Sequence, residues 1–141
     1  MKVTGLNGRE YNLNLKKYIV YKDDTKKKSK YHLLARKIIR EMFTGCNILE
    51  EVKLPGSTAS HKRSVLYLDF LIQRWSIAVE VHGQQHYEFC PFFHKTEANF
   101  LKAQVRDEDK AQWCLINKLH LIILKHSDTE NEWKQSLSKR S

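Results

Sequence analysis

An aspartate sits inside one apolar run, Val65 to Ile72, and a glutamate inside the next, Ile77 to Val81. A short polar turn separates the runs, and His82, Gly83 and His86 follow at once. Carboxylates among strand-forming residues are costly unless something pairs with them. Asp69 and Glu80 beside a histidine cluster therefore suggest a metal site that cuts phosphodiesters. If the two runs are antiparallel strands and Ile72 pairs with Ile77, Asp69 lies directly opposite Glu80. Both could then hold one cation. Two facing carboxylates require a counter-charge or a proton. His82, two residues after Glu80, shares its face. The plainer alternative is that both acids face water on a half-exposed sheet.

Asp107 rests on a separate argument. Phe100, Ala103, Asp107, Ala111, Cys114 and Leu115 follow helical spacing, which puts Asp107 on an inward stripe where a lone charge is expensive. Its partner is Arg106, Lys110 or a buried histidine, while Glu108 and Asp109 face solvent. His82 and His86 suit acid/base work, because imidazole titrates near neutral pH. His82, His86, Cys90 and His94 recur every four residues, which on one helix would resemble a zinc ladder, but Gly83 and Pro91 interrupt any such helix. A structural Zn²⁺ using Cys90, His94 or Cys114 is the alternative there. His32 either reaches the active face of the sheet or marks a helix boundary. Glu41 and Glu51 are ligands or surface charges. Tyr87, Phe89, Phe92, Phe93 and Phe100 pack the core or stack on DNA bases.

The elements that must position these groups can be read from periodicity and caps. Asn7-Gly8 between Val3–Leu6 and Glu10–Leu15 signals a hairpin. Residues 22–30 form a lysine-rich loop, and Ser29 caps a helix whose stripe is Tyr31, Leu34, Ala35, Ile38, Ile39 and Met42, with Gly45 placed to stop it. Ile48 to Leu54 reads as a strand ending at Pro55-Gly56. Strands follow at about residues 65–72 and 76–82. Thr96 caps a second helix to about Lys118, LHLIIL from Leu119 to Leu124 is a short buried strand, and Asp128 or Thr129 starts a last helix carrying Trp133 and Leu137. The order helix, three strands, helix, strand predicts a mixed α/β layer.

The 141 residues suit one domain: a hairpin and basic loop over 1–28, a core over 29–124 and a C-terminal helical segment over 125–141. No apolar run approaches membrane-spanning length and Met1 begins no signal-peptide pattern, so the expectation is an intracellular, cytoplasmic protein away from membranes. Three distant cysteines, Cys46, Cys90 and Cys114, do not form a disulfide framework. The net charge is +9, and its excess is one-sided: residues 1–64 hold 15 Lys/Arg and 6 Asp/Glu, whereas residues 65–141 hold 10 of each. Such a surface suits a polyanion, with Lys26, Lys27, Lys28, Lys30, Lys62 and Arg63 as the densest phosphate contacts. The alternative is a solvated face.

LDF at 68–70, EVHG at 80–83, RD at 106–107 and the strand LHLIIL resemble, in order and spacing, the PD-(D/E)XK nuclease superfamily in its very-short-patch-repair-like and related homing endonuclease branch. The resemblance covers about residues 29–124 and implies a restriction-endonuclease-like core, a mixed central sheet flanked by helices. It implies that Asp69, Glu80 and the Val81 carbonyl bind Mg²⁺ or Mn²⁺. His82, standing where the superfamily usually has lysine, or His86 would activate water, and Asp107 would orient a histidine or join the metal shell. His32 falls where many members carry a helix glutamate. Gln84 stands where repair endonucleases of this type have a cysteine, so their zinc and mismatch specificity do not carry over. The N-terminal hairpin lies outside the resemblance. The implied activity is cleavage of double-stranded or branched DNA, with a protein partner or a second copy adding specificity. The rival readings are an inactive DNA- or partner-binding module of the same fold, a structural zinc protein and an RNA-directed nuclease.

Overall fold

The computed structural model describes residues 1–20, 28–57 and 65–139. The expected hairpin forms: β1 (Lys2–Thr4) pairs antiparallel with β2 (Glu10–Asn12), Val3 opposite Tyr11. Its connection is a five-residue loop rather than a tight two-residue turn, with Gly8 at φ +80 where a side chain would be strained. The hairpin is docked rather than free. The Leu6 amide donates to the Gly56 carbonyl, and a Cβ on Gly56 would come within 2.8 Å of the Gly5 Cα, so this contact requires glycine.

Helix α1 (Lys30–Met42) starts where its cap indicates, the Ser29 hydroxyl accepting from the His32 amide. Its buried stripe contains Ala35, Ile38 and Ile39, and Gly45 follows its end at φ +81. Strands β3 (Leu49–Leu54), β4 (Leu66–Ile72) and β5 (Ile77–His82) run antiparallel, and β6 (His120–Lys125) closes the sheet parallel to β5. A parallel neighbour needs a crossover. The single-turn helix α2 (Pro91–His94) and the long helix α3 (Glu97–Ile116) supply it, with Thr96 capping α3. Helix α4 (Glu130–Ser138) begins with a full capping box between Thr129 and Glu132. The architecture is thus α/β, a mixed four-stranded sheet and a separate antiparallel hairpin, flanked by helices.

Two apolar clusters hold the sheet. One joins α1 and α4 to the sheet through Ile38, Ile39, Phe70, Val79, Leu124 and Trp133. The other joins α3 and the hairpin through Val3, Leu49, Leu54, Leu68, Trp113 and Cys114. Asn117 at the end of α3 accepts from the Thr4 amide at 2.7 Å and donates to its carbonyl at 2.9 Å, clasping β1. The expected α3 stripe needs correction. Ala111 and Leu115 are exposed, Leu115 at 70%, while Lys110 and Trp113 turn inward with Ala103, Asp107 and Cys114. Among the described residues no helix is long and apolar enough to cross a membrane.

Candidate functional site

The β4–β5 register is the one read from the sequence: Ile72 opposite Ile77 and Phe70 opposite Val79. A 3-10 turn, Gln73–Trp75, ending in Ser76 at φ 52, makes the connection that Arg74-Trp75 alone does not favour. The ladder opens one step past Phe70. On its other side, β3–β4 pairing also omits Glu51 and Asp69, between Glu50–Phe70 and Val52–Leu68, and Glu51 adopts φ 49. In this gap the carboxylates stand in for backbone carbonyls. The Asp69 amide donates to Glu80 Oε2 and the Val81 amide to Asp69 Oδ2, each at 2.8 Å. The Val81 group hydrogen-bonded to the acid pair is its N–H.

The counter-charge that facing acids require is present, and the pair favours a proton as well. Lys110 on α3 donates to Glu80 Oε1 at 2.5 Å. Burial pulls its ammonium down, but Glu80 and then Asp69 outweigh that and hold it above the usual lysine range. Burial, and then the Glu80 charge, push Asp69 up to about 7. One lysine is thus shared by two buried acids, and the proton on Asp69 makes up the difference.

Past the end of β5, a single 3-10 turn, Gln84–His86, folds His86 back over His82. Their rings stack at 4.0 Å and 5°. Asp107 accepts from His86 Nδ1 at 2.8 Å, and the Tyr87 hydroxyl meets His82 Nδ1 at 3.1 Å. Burial, and then the neighbouring His86, push His82 down to about 4. Burial would raise Asp107, but the His86 hydrogen bond wins and lowers it. Of the partners anticipated for Asp107, the histidine is the one that bonds it. His82, His86 and Asp107 each offer a ligand atom, all within 4.8 Å of one another. A cavity of about 690 Å³ opens beside this arrangement, lined by Asp69, His86, Asp107 and Lys110 together with Tyr67 and Phe93.

Other expected site residues fall elsewhere. His32 does not join the acids. Its Nε2 meets Glu50 Oε1 at 2.7 Å, and its ring stacks on Phe70 of the α1-side cluster. Arg36 binds the same glutamate through two bonds, at 2.8 and 2.9 Å. Lys28 pairs with Glu51 at 2.5 Å and Lys30 lies over the Tyr31 ring, while Lys26, Lys27, Lys62 and Arg63 lie outside the described residues. Asp109, expected to be solvated, is half-buried with Oδ2 lacking a partner. Tyr87, Phe92 and Phe93 are exposed rather than core, Phe92 fully. Among the described residues, no group of three His, Cys, Asp or Glu ligands includes Cys90, His94 or Cys114, and burial pushes the Cys114 thiol up to about 12, away from the thiolate zinc needs. The sequence reading offered Lys110 as a partner for Asp107 and missed its bond to Glu80. Its place three residues after Asp107, on the same helical face, was the signal that marks it.

No family model matches the chain, and no solved structure matches it. It is similar to uncharacterized protein 307L of Invertebrate iridescent virus 6, 35% identical over 71 residues, which are 50% of this chain and 36% of that protein. It is also similar to uncharacterized protein 033L of Invertebrate iridescent virus 3, 41% identical over 46 residues, which are 33% of this chain and 24% of that protein. The chain thus spans well under two thirds of the length of the curated relatives it matches.

Proposed function

We propose that this chain is a metal-dependent DNA endonuclease on a restriction-endonuclease-like core, of the very-short-patch-repair-like kind its motifs resemble. The observation that carries this reading is the burial of Asp69 and Glu80 where the ladder opens, with Lys110 and the His86–Asp107 pair on the same cavity. The donor set fits a hard divalent cation. Two carboxylates share one ammonium, and the proton held on Asp69 to about pH 7 marks a charge deficit that such a cation would fill. Asp69 and Glu80 would hold Mg²⁺ or Mn²⁺, which supplies Lewis-acid stabilisation of the phosphoryl oxygens and a more acidic bound water.

The histidines divide the remaining work. Asp107 accepts from Nδ1 of His86, which fixes the His86 proton there and leaves Nε2 a lone pair for the attacking water's proton. His86 lines the cavity. His82, kept neutral by burial, stacks beneath it and holds the ring in place.

A second reading, an inactive DNA-binding module, is favoured by one observation. Three of the four acid oxygens already accept from protein donors: the Asp69 amide, the Val81 amide and Lys110. Cleavage of supercoiled plasmid and branched DNA with Mg²⁺, Mn²⁺ or EDTA decides between them. Metal-dependent nicking by the wild type, lost in Asp69→Ala and Glu80→Ala, is expected. Binding without cutting, or cutting that survives both substitutions, would leave the binding module.

A further inference from the structure

The same cavity contains a group the nuclease reading does not use. His94 lines it, is 5% exposed, and is clamped on both sides. The Cys90 amide donates to His94 Nδ1 at 3.0 Å, and the Asn99 side chain donates to the His94 carbonyl at 2.9 Å. A backbone amide can only donate, so Nδ1 holds a lone pair and the ring proton sits on Nε2. That Nε2–H is buried with no partner. An unpaired buried donor is costly and calls for an acceptor from outside the chain.

The walls narrow the choice of acceptor. Phe89, Phe93 and Phe100 surround the imidazole, with ring centroids 6.0, 5.2 and 5.0 Å away. Phe93 and Tyr67 line the same cavity yet stay 63% and 53% exposed. A phosphate suits the His94 donor itself poorly, because the rings packed around the imidazole carry no counter-charge. A flat heterocycle with a ring nitrogen or carbonyl oxygen suits it well.

We propose that the cavity takes an unpaired nucleobase beside His94, the Nε2–H donating to a base acceptor while Phe93 stacks on its face. The proposal rests on the nuclease reading and narrows its substrate. A base inside a duplex cannot enter, so the DNA recognised has a nucleotide that is extruded or single-stranded beside the cleavage point.

The test measures binding in EDTA, so it does not depend on cutting. Three duplexes are compared by fluorescence anisotropy: one with a single 2-aminopurine bulge, one with an abasic bulge, and one fully paired. The wild type is expected to bind the 2-aminopurine bulge about tenfold more tightly than the other two. His94→Phe keeps the ring but removes the donor, and should lose that preference while binding the paired duplex unchanged. Phe93→Ala, at an exposed position, should lose the quenching of 2-aminopurine emission. Equal wild-type affinity for all three duplexes, or a preference that survives both substitutions, would overturn the pocket. Metal-dependent cleavage without a base preference defeats the pocket and leaves the nuclease. A base preference in a protein that never cuts leaves the pocket and defeats the nuclease.

Discussion

Asp69 shows what a functional group costs its own fold. Its carboxyl titrates near 7 in the folded chain against an ordinary value of 3.8. Between those values the folded state binds more protons than the unfolded one, so stability falls as pH rises from about 4 to about 7 and stays lower above that. Asp69→Asn should therefore stabilise the metal-free protein by a few kcal/mol at pH 8, raising its melting temperature several degrees, with the gain gone near pH 4. Equal melting at pH 8 in EDTA would show that Asp69 is not strained by its neighbours. Asp107→Asn should keep the fold but lower cleavage about a hundredfold or more by losing the His86 orientation. A plasmid-nicking rate beside a wild-type melting curve checks it. Asp69, Glu80, His82, His86 and Asp107 were legible because acids in apolar strands and on an inward helix stripe contradict their surroundings. Lys110 and His94 were not. A lysine on an amphipathic helix and a histidine among phenylalanines look ordinary until tertiary contacts give the one a partner and deny it to the other.

At the scale of elements, the contact of α1 with β3 depends on a buried charge cluster. Burial would raise Glu50, but hydrogen bonds from His32 and Arg36 lower it to about 2 from an ordinary 4.5. A depressed carboxyl contributes stability above its unfolded pKa and loses it as pH falls from about 4.5 to about 2. Glu50→Gln should remove much of this acid limb and cost on the order of 3 kcal/mol at neutral pH, because Arg36 keeps its charge in a buried site. Urea unfolding at pH 3 and pH 7 would show it, and parallel pH profiles for wild type and variant would sink it. The strands and capped helices were readable because local signals fix them: Ser29, Thr96 and Thr129 each cap a helix. The rotation of α3 was not. Its hydrophobic pattern favours Leu115, but the helix turns to bring Lys110 to Glu80 and to let the Trp113 indole donate to the Pro55 carbonyl at 2.8 Å. Apolar periodicity is blind to a helix that packs around a polar centre.

Across the whole molecule, the +9 charge predicts salt-sensitive DNA affinity. Each lysine or arginine in true phosphate contact should flatten the log-affinity against log-salt line by about one when removed. Lys28 and Lys30 already have partners within the chain, so their alanine variants should flatten the slope by less than one. Binding isotherms at three salt concentrations check this, and a full unit lost in both variants would refute it. The mixed sheet was legible from the order of elements, and the docking of the hairpin was not, since Gly5 against Gly56 and Asn117 against Thr4 are contacts between distant segments.

The crossover that joins β5 to β6 also sets a schedule. The acids meet on a local hairpin, but their lysine arrives from α3, thirty residues beyond Glu80. Contacts between distant segments form late, because the connecting chain must first be closed. An emerging chain would therefore complete its antiparallel strands β3 to β5 before it completes its chemistry. A cutting centre assembled in that order would stay inert in every half-made or half-folded copy, and come alive only once α3 has docked.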